Sequence, residues 1–588
     1  MLKSKERILS FCGLLLLVLC WHLSAYAIDV KNLTILYTND LHGHILPSED
    51  HRTPGEPKPV MGGSAYLAGY VKGVRSQAES EGRGFLLLDG GDIFHGTPEG
   101  NDSKGRAVIK VMNALGYDAM VIGNHDYAFG QDNLRGLSKL AKFPFLGANI
   151  TQGKTGKGVD YARPFIIKVI GGIKVGIIGV TTTSTPRMNF PEDVKGLVFS
   201  EPDPVIARFI SLLEGKGVDL IIILSHLGYR GNKKITESSQ DIDLIIGGHS
   251  HQILEPPLLE GPNQTIICEG GDHGLRVGHL ELRIDLEGNK ILDYENRIVN
   301  LSHSLVQPDP EMDKLVGGLQ IPGMDEVIGY ARKSLRRERR GESLLGDWIT
   351  DVMREKTGAD IAFLSGGSIR GDLKKGEITL RDVYCITPFL NTLVTLELSG
   401  GEINGVLERS VADEWGASLQ VSGLKMVYDP ERPDGAKLIE VKVNDEPIDH
   451  KKRYRIVTTN YEAYVKEKYP EIISAKNKQD TSVTLFTAEV EYIKKHSPIS
   501  SGARDRMREW VQPQTIRGKV DINNADLGEL KTLPGIGQIK AERIIEYRKT
   551  HGPFKSIEEI KEVKSIGPKL FERLKEMIGV NVEGSENR

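Results

Sequence analysis

Leu33-Thr34-Ile35-Leu36-Tyr37-Thr38-Asn39-Asp40-Leu41-His42 begins as a short apolar run and ends on residues that can bind a cation. Four to six apolar residues closed by a glycine or a polar group are the mark of a buried strand in a layered α/β domain. The same punctuation returns through the first 300 residues. Phe85–Leu88 runs into Asp89-Gly90-Gly91-Asp92, and Ala119–Ile122 into Gly123-Asn124-His125-Asp126. Leu220–Leu224 precedes Ser225-His226, and Leu244–Ile246 precedes Gly247-Gly248-His249-Ser250-His251. Lys174–Val180 is a further buried run, and helical stretches separate the runs. Ligands of open α/β sheets sit outside the carboxyl ends of the strands, so five loops are expected to meet in one crevice.

The residue types say what that crevice holds. Asp40, His42, Asp92, Asn124, His226, His249 and His251 form a nitrogen and oxygen donor set without a thiolate. Such a set suits a Zn²⁺, Mn²⁺, Co²⁺ or Fe centre of N and O ligands rather than a structural cysteine site. Seven ligands exceed what one catalytic ion with an open position needs, and fit two divalent ions sharing a carboxylate. Any one of these histidines alone is as readily a satisfied core residue. Five such loops in one unit argue for a shared centre.

At 588 residues the chain is too long for one core, and its 39% hydrophobic and 27% charged residues are those of a globular protein. A net charge of −4 excludes a surface coated throughout for nucleic acid. Lys3, Lys5 and Arg7 precede an apolar run from Phe11 to Cys20, and Ser24-Ala25-Tyr26-Ala27 offers a small-x-small cleavage pattern. Residues 1–27 thus read as a signal peptide and the mature chain as periplasmic or secreted. The alternative, a retained anchor, needs about 20 apolar residues. No later stretch would span a membrane once the signal is cleaved. Cys268 and Cys385 remain, far apart, as small buried hydrophobes.

The expected organisation is a first α/β domain over 28–305 and a helical linker over 306–341 that ends in the Arg336–Arg340 charge run. A second α/β domain over 342–511 and a compact helical unit over 518–582 follow, with Gln512-Pro513-Gln514 as linker between them.

Thr38-Asn39-Asp40-Leu41-His42-Gly43, Gly90-Gly91-Asp92, Gly123-Asn124-His125-Asp126, Ser225-His226 and Gly248-His249-Ser250-His251 resemble the five signatures of calcineurin-like metallophosphoesterases. Their order and spacing are similar to the 5′-nucleotidase/UDP-sugar hydrolase branch. The resemblance implies a four-layer β-sandwich flanked by helices. It implies that Asp40, His42, Asp92 and His251 hold one ion, and that Asp92, Asn124, His226 and His249 hold the other. Two ions about 3.5–4 Å apart would lower the pKa of a shared water and clamp both oxygens of an in-line displacement. His125 is left to face the phosphate or protonate the leaving group. The family's usual partner for this histidine lies three residues on, where this chain has Ala128, so Asp126 is the candidate to orient the ring.

The second domain resembles the 5′-nucleotidase C-terminal domain through Glu342–Asp347, Ser365-Gly366-Gly367-Ser368-Ile369-Arg370, Thr387-Pro388-Phe389-Leu390-Asn391 and Leu419-Gln420-Val421-Ser422-Gly423. Arg370 matches a phosphate-binding position and could engage an anion bidentately, or be a surface arginine on a glycine-rich turn. Asn391 is a further candidate substrate contact. The aromatic expected near Leu419–Gly423 is replaced by Ser418 and Val421. Tyr461 or Tyr464 could stack a base or simply pack.

The last unit resembles the paired helix-hairpin-helix module of competence-type DNA receptors. Leu533-Pro534-Gly535-Ile536-Gly537 is repeated about thirty residues on as Lys564-Ser565-Ile566-Gly567-Pro568-Lys569. Gly535, Gly537, Gly567 and Lys569 are the candidate phosphate contacts to non-specific DNA, through backbone N–H groups at helix starts. With 12 Lys and Arg against 10 Asp and Glu over 518–582, the module is not strongly basic, and a protein-binding or purely structural role is the other reading.

The expectation is an exported dinuclear-metal phosphomonoesterase acting on nucleoside 5′-monophosphates or related nucleotides. The alternatives are a cyclic-nucleotide phosphodiesterase, a nucleotide-sugar or sulfate-ester hydrolase with the same metal site, or a DNA-capture protein with a secondary phosphatase domain.

Overall fold

The computed structural model describes residues 29–53, 58–238, 241–338, 340–413, 416–500, 502, 505–510 and 519–580. The expected signal peptide lies outside them.

The first domain is built on two six-stranded sheets. One runs in the order Lys290–Asn300, Arg276–Asp285, Val30–Thr38, Gly84–Asp89, Ala119–Val121, Phe145–Leu146. The other runs Leu258–Glu260, Thr265–Cys268, Leu244–Gly247, Leu220–His226, Ile173–Thr181, Phe165–Ile170. The period-2 alternation of strands decides which side chains meet. From Val30–Thr38, Leu33, Ile35 and Tyr37 point between the sheets, packing in one core with Leu86, Leu88, Val175, Ile177, Ile222 and Leu224. Leu36, Leu87 and Met120 point the other way, under a helical layer that includes Ser64–Ser80 and Arg106–Leu115. Ile178, Val180, Ile221 and Ile223 pack beneath Pro202–Glu214 on the opposite outer face. Helix, sheet, sheet and helix make the four expected layers.

Val30–Thr38 pairs in parallel with Gly84–Asp89, and Leu220–His226 with both Ile173–Thr181 and Leu244–Gly247. Parallel pairing brings successive carboxyl ends to one rim, which gathers the five loops.

The second domain has a five-stranded sheet in the order Leu419–Ser422, Ile361–Ser365, Arg453–Thr459, Thr392–Ser399, Lys476–Thr484. Trp348, Ile349 and Met353 of the helix Leu344–Thr357 pack against it. The expected helical linker is helical only over Pro310–Gly317. Val327–Ala331 is instead a strand, paired antiparallel with Gly376–Thr379 of the second domain. Of the Arg336–Arg340 run, the described residues Arg336, Arg337, Glu338 and Arg340 are not helical either. Leu335 bridges Leu373, so backbone pairing outweighs the helix propensity of the arginines.

A separate compact unit comprises residues 425–442 with 507–588. Within it Lys425–Tyr428 pairs in parallel with Met507–Glu509. The C-terminal helices Leu527–Thr532, Gln538–His551 and Pro568–Leu574 close over Ile536, Ile544, Ile566 and Phe571. One parallel pair, Val520–Asp521 with Ile578–Gly579, ties the ends of this otherwise helical module. Among the described residues no helix is long and apolar enough to cross a membrane. Cys268 and Cys385 are both free, the first fully buried.

Candidate active site

The strand-end loops interlock through their backbones: Asp40 N–H donates to Gly91 O and His42 N–H to Asp92 O, both at 2.9 Å. Sharp turns then aim the side chains inward. Asp40, His42, Asp92, His249 and His251 all adopt positive φ, between 47° and 77°. That conformation is costly for non-glycine residues, and five of them at one rim mark a site where the surroundings impose it. Gly123 shows how tight the rim is, since a Cβ there would lie 2.2 Å from Asp92 Oδ1.

Two sets of donors result. Asp40, His42 and His251 bring ligand atoms within 4.8 Å of one another, and so do Asp92, His226 and His249. Asp92 Oδ2 lies 3.1 Å from His226 Nε2 and 4.0 Å from His42 Nε2, between the two sets. All six residues are buried or nearly so.

The outer nitrogens of three rings are engaged in ways that fix their orientation. His42 Nδ1 donates to His95 O at 2.9 Å, His226 Nδ1 to Gly90 O at 2.7 Å, and His251 Nδ1 to Asp272 Oδ2 at 2.9 Å. The Nε2 atoms are thereby turned inward, as ligating histidines require. His42 Nε2 and His251 Nε2 face each other at 3.3 Å. Asn124 Oδ1 is buried without a hydrogen-bond partner. Converging ring nitrogens and carboxylates with a stranded acceptor among them are what a cation relieves, so the donor set fits divalent metal.

Protons on two of the rings balance the buried carboxylates. Burial disfavours the imidazolium of His226, yet Asp92 outweighs it and holds that group up to about 10. His251 is likewise held up to about 9, against burial, by Asp40 and Asp272. Burial prevails at His42 and His249, both pulled down to about 4.

His125 stands beside these groups. Its backbone N–H donates to Asp92 Oδ1 at 2.7 Å. Arg370 Nη2 donates to its Nε2 at 3.3 Å, and its Nδ1 lies 3.2 Å from His95 Nδ1. Its ring stacks on Phe389, with centroids 5.7 Å apart and planes 15° from parallel. Burial, then the nearby cations and rings, keep it neutral, with its pKa well below the usual histidine range.

Asp126 does not orient this ring. Its oxygens accept from the backbone N–H groups of Asp92 (3.1 Å), Ile93 (2.9 Å) and Gly123 (2.8 Å). The tight 3₁₀ turn His125–Tyr127 sends adjacent side chains in different directions. Asp126 braces two ligand-bearing loops, and the ring next to His125 belongs to His95, which the sequence reading passed over.

A cavity of about 280 Å³ opens over the centre. Asp92, Asn124, His125, His249 and His251 form its floor, and Arg370, Asn391 and Tyr461 line its second-domain wall. Phe389, Phe190 and Lys466 also line it and were not singled out in the sequence. Arg370 reaches its position across the Phe389 ring, 5.3 Å from the centroid. Tyr464 lies outside the cavity and is 46% exposed. Val421 is wholly buried, Ser418 bonds Tyr469 at 2.9 Å, and neither lines the cavity.

In the C-terminal module, Gly535, Gly537, Gly567 and Lys569 are all exposed. Gly537 and Gly567 begin Gln538–His551 and Pro568–Leu574 respectively, and neither helix start carries a side-chain cap.

Comparison with known proteins agrees with this layout. Residues 33–253 match the calcineurin-like phosphoesterase family, 323–472 the 5′-nucleotidase C-terminal domain, and 516–578 the helix-hairpin-helix motif. Protein UshA of Yersinia enterocolitica is 29% identical over 525 residues, covering 80% of this chain and 92% of its own. The crystal structure of a 5′-nucleotidase precursor from Thermus thermophilus superimposes with a TM-score of 0.76 at 31% identity, over 82% of this chain and all of that one. The fold is shared more widely: sulfate thiohydrolase SoxB of the same organism gives 0.72 at 18% identity, over 83% and 98% of the two chains. The protein is a metal-dependent phosphoric ester hydrolase, and it belongs to the 5′-nucleotidase family, with a helix-hairpin-helix region added at its C-terminus.

Proposed function

We propose that this chain is an exported phosphomonoesterase for nucleoside 5′-monophosphates and closely related nucleotides, acting with two divalent ions. Asp40, His42, Asp92 and His251 would hold one ion, and Asp92, Asn124, His226 and His249 the other. The observation that carries this reading is the convergence of inward-turned donors, with His42 Nε2 and His251 Nε2 at 3.3 Å and Asn124 Oδ1 left without a partner. When bound, the ions supply activation of the attacking water and neutralisation of phosphoryl charge.

The chain's own groups do the rest. Arg370 binds phosphoryl oxygens with its planar fork. Neutral His125 stands beside the same oxygens, its Nε2 accepting from Arg370 and so aiming that guanidinium at the phosphoryl group, and His95 fixes its ring. Phe389, Phe190 and Tyr461 offer flat walls to a base, and Asn391 a polar edge. At the C-terminus, Gly535, Gly537, Gly567 and Lys569 hold DNA phosphates without reading sequence, keeping the enzyme near nucleic acid.

Phosphate release should be measured with Mn²⁺, Zn²⁺ and Co²⁺ over nucleoside monophosphates, cyclic nucleotides, nucleotide sugars and sulfate esters. Nucleoside 5′-monophosphates should turn over fastest, and Asp92→Ala should abolish activity. Faster turnover of a cyclic nucleotide or a sulfate ester would replace the assigned substrate. N-terminal sequencing of the mature protein should begin near Ile28, and retention in the cytoplasm would overturn export.

A further inference from the structure

A third group of metal-binding side chains lies outside the two sets described above. His51, Asp272 and His273 bring ligand atoms within 4.8 Å of one another. Asp272 Oδ2 is 3.6 Å from His51 Nε2 and 4.0 Å from His273 Nε2. Donors about 2.1 Å from a tetrahedral zinc stand about 3.4 Å apart, so His51 is already near that spacing from Asp272 while His273 must close on it by about 0.6 Å. We propose that His51, Asp272 and His273 form a third divalent-cation site, next to the catalytic centre and separate from it.

Asp272 is nearly inaccessible, while both rings face a cavity of about 300 Å³ that His44 also lines. That cavity gives an ion a route in and leaves room for water at the open positions. The carboxylate is held ready by its other contacts. Arg52 binds Oδ1 at 2.9 Å, and His251 Nδ1 donates to Oδ2 at 2.9 Å. Oδ2 thus orients a ligand of the catalytic centre and is also the oxygen that approaches His51 and His273. The Arg52 contact lowers the affinity of the carboxylate for a cation without blocking Oδ2. His273 is kept in place by His44, stacked on it at 4.0 Å between centroids. Two imidazoles and one carboxylate select Zn²⁺ or Co²⁺ over Mg²⁺ and Ca²⁺, which demand all-oxygen shells. Because Asp272 is shared, an ion here would act on the catalytic centre by fixing the His251 ring.

The test is a difference in stoichiometry. Full-length protein stripped by a chelator is titrated with Co²⁺ and with Zn²⁺, and bound metal is counted per chain by elemental mass spectrometry. The wild type should bind one equivalent more than His51→Ala and one more than His273→Ala, whatever the number held by the catalytic centre. Equal stoichiometry in wild type and His51→Ala would overturn the site, even if the catalytic pair is as assigned. Should either variant misfold, anomalous diffraction from zinc-soaked wild-type crystals decides. A peak between His51, Asp272 and His273 is expected, and its absence alongside peaks at the catalytic ligands would refute the proposal.

Discussion

His95 Nδ1 and His125 Nδ1 stand 3.2 Å apart, with His125 Nε2 turned to Arg370. Arg370 can only donate, so Nε2 of His125 accepts and its Nδ1 carries the proton shared with His95. His95 is thus the acceptor at His125 Nδ1, in a chain that has Ala128 rather than a carboxylate three residues after this histidine.

Removing His125 should cost more than removing its neighbour. His125→Ala is expected to lower kcat by about 10²–10⁴-fold, the range for losing a positioned proton-transfer group. His95→Phe removes the acceptor for His125 Nδ1 and should lower kcat by about tenfold, with KM little changed. His95→Gln restores an acceptor and should recover part of that loss. Steady-state kinetics on one nucleotide separates these cases, and no recovery in His95→Gln would mean that His95 only fills space.

Asp126 carries a different expectation. Its carboxyl satisfies three buried N–H groups on the loops that bear Asp92 and Asn124. Asp126→Ala strands those donors, each worth about 1–3 kcal/mol when left unmade, in a way that does not simply add. The variant should unfold at lower urea concentration by about 2–5 kcal/mol and bind metal more weakly. Stability unchanged from wild type would return Asp126 to a role at the reacting atoms.

The metal-free protein should respond to pH in a definite sense. His226 and His251 have folded-state values of about 10 and about 9, above the ordinary 6.5. Their ion pairs with Asp92 and Asp40 therefore stabilise fully below about pH 6.5 and are lost as pH rises through 9 to 10. Chelated protein should melt progressively lower across that window. Metal-loaded protein should not, because ligation requires both rings already deprotonated. Titrating metal into weakly buffered apoprotein near neutrality should release protons, which a pH indicator dye reads directly. Uptake without proton release would contradict the charged state of both histidines.

Much of this site was legible because ligand-bearing loops follow buried strands, a pattern that survives without knowing the fold. Five strand ends pointed to Asp40, His42, Asp92, Asn124, His226, His249 and His251, and the structure gathers the six histidines and aspartates into two groups with ligand atoms within 4.8 Å of one another. Other features were hidden for physical reasons. Positive φ at Asp40, His42, Asp92, His249 and His251 is only weakly signalled by residue type, since aspartate and histidine adopt it more often than most residues but far less often than glycine. His95 follows Ile93-Phe94 and reads as the end of an apolar segment; its nearness to His125 depends on two loops folding together. Asp126 looked like a partner through adjacency, which a 3₁₀ turn undoes. The Arg336–Arg340 run read as a helix because intrinsic propensity is local, whereas the bridge of Leu335 to Leu373 is not. Phe389 and Phe190 became cavity walls only when the second domain met the first.

The C-terminal module offers the last test. Gln538–His551 and Pro568–Leu574 both start on exposed glycines without side-chain caps, so their first backbone N–H groups are open to an anion. Added side chains at Gly537 and Gly567 would meet nothing within 4 Å in the protein itself. Substitution there should consequently leave the fold intact and obstruct only what approaches from outside. Fluorescence anisotropy with a labelled duplex at low salt should show binding by wild type that falls steeply as salt rises, the mark of phosphate contacts. Gly537→Glu combined with Gly567→Glu should weaken that binding by at least tenfold, with thermal unfolding and nucleotide hydrolysis unchanged. Lys569→Ala should cost less and flatten the salt dependence by about one phosphate contact. Sequence-independent affinity is expected, since backbone N–H groups read phosphate rather than bases. Wild-type protein that binds no duplex even at low salt would leave the hairpins as a protein-binding or structural element.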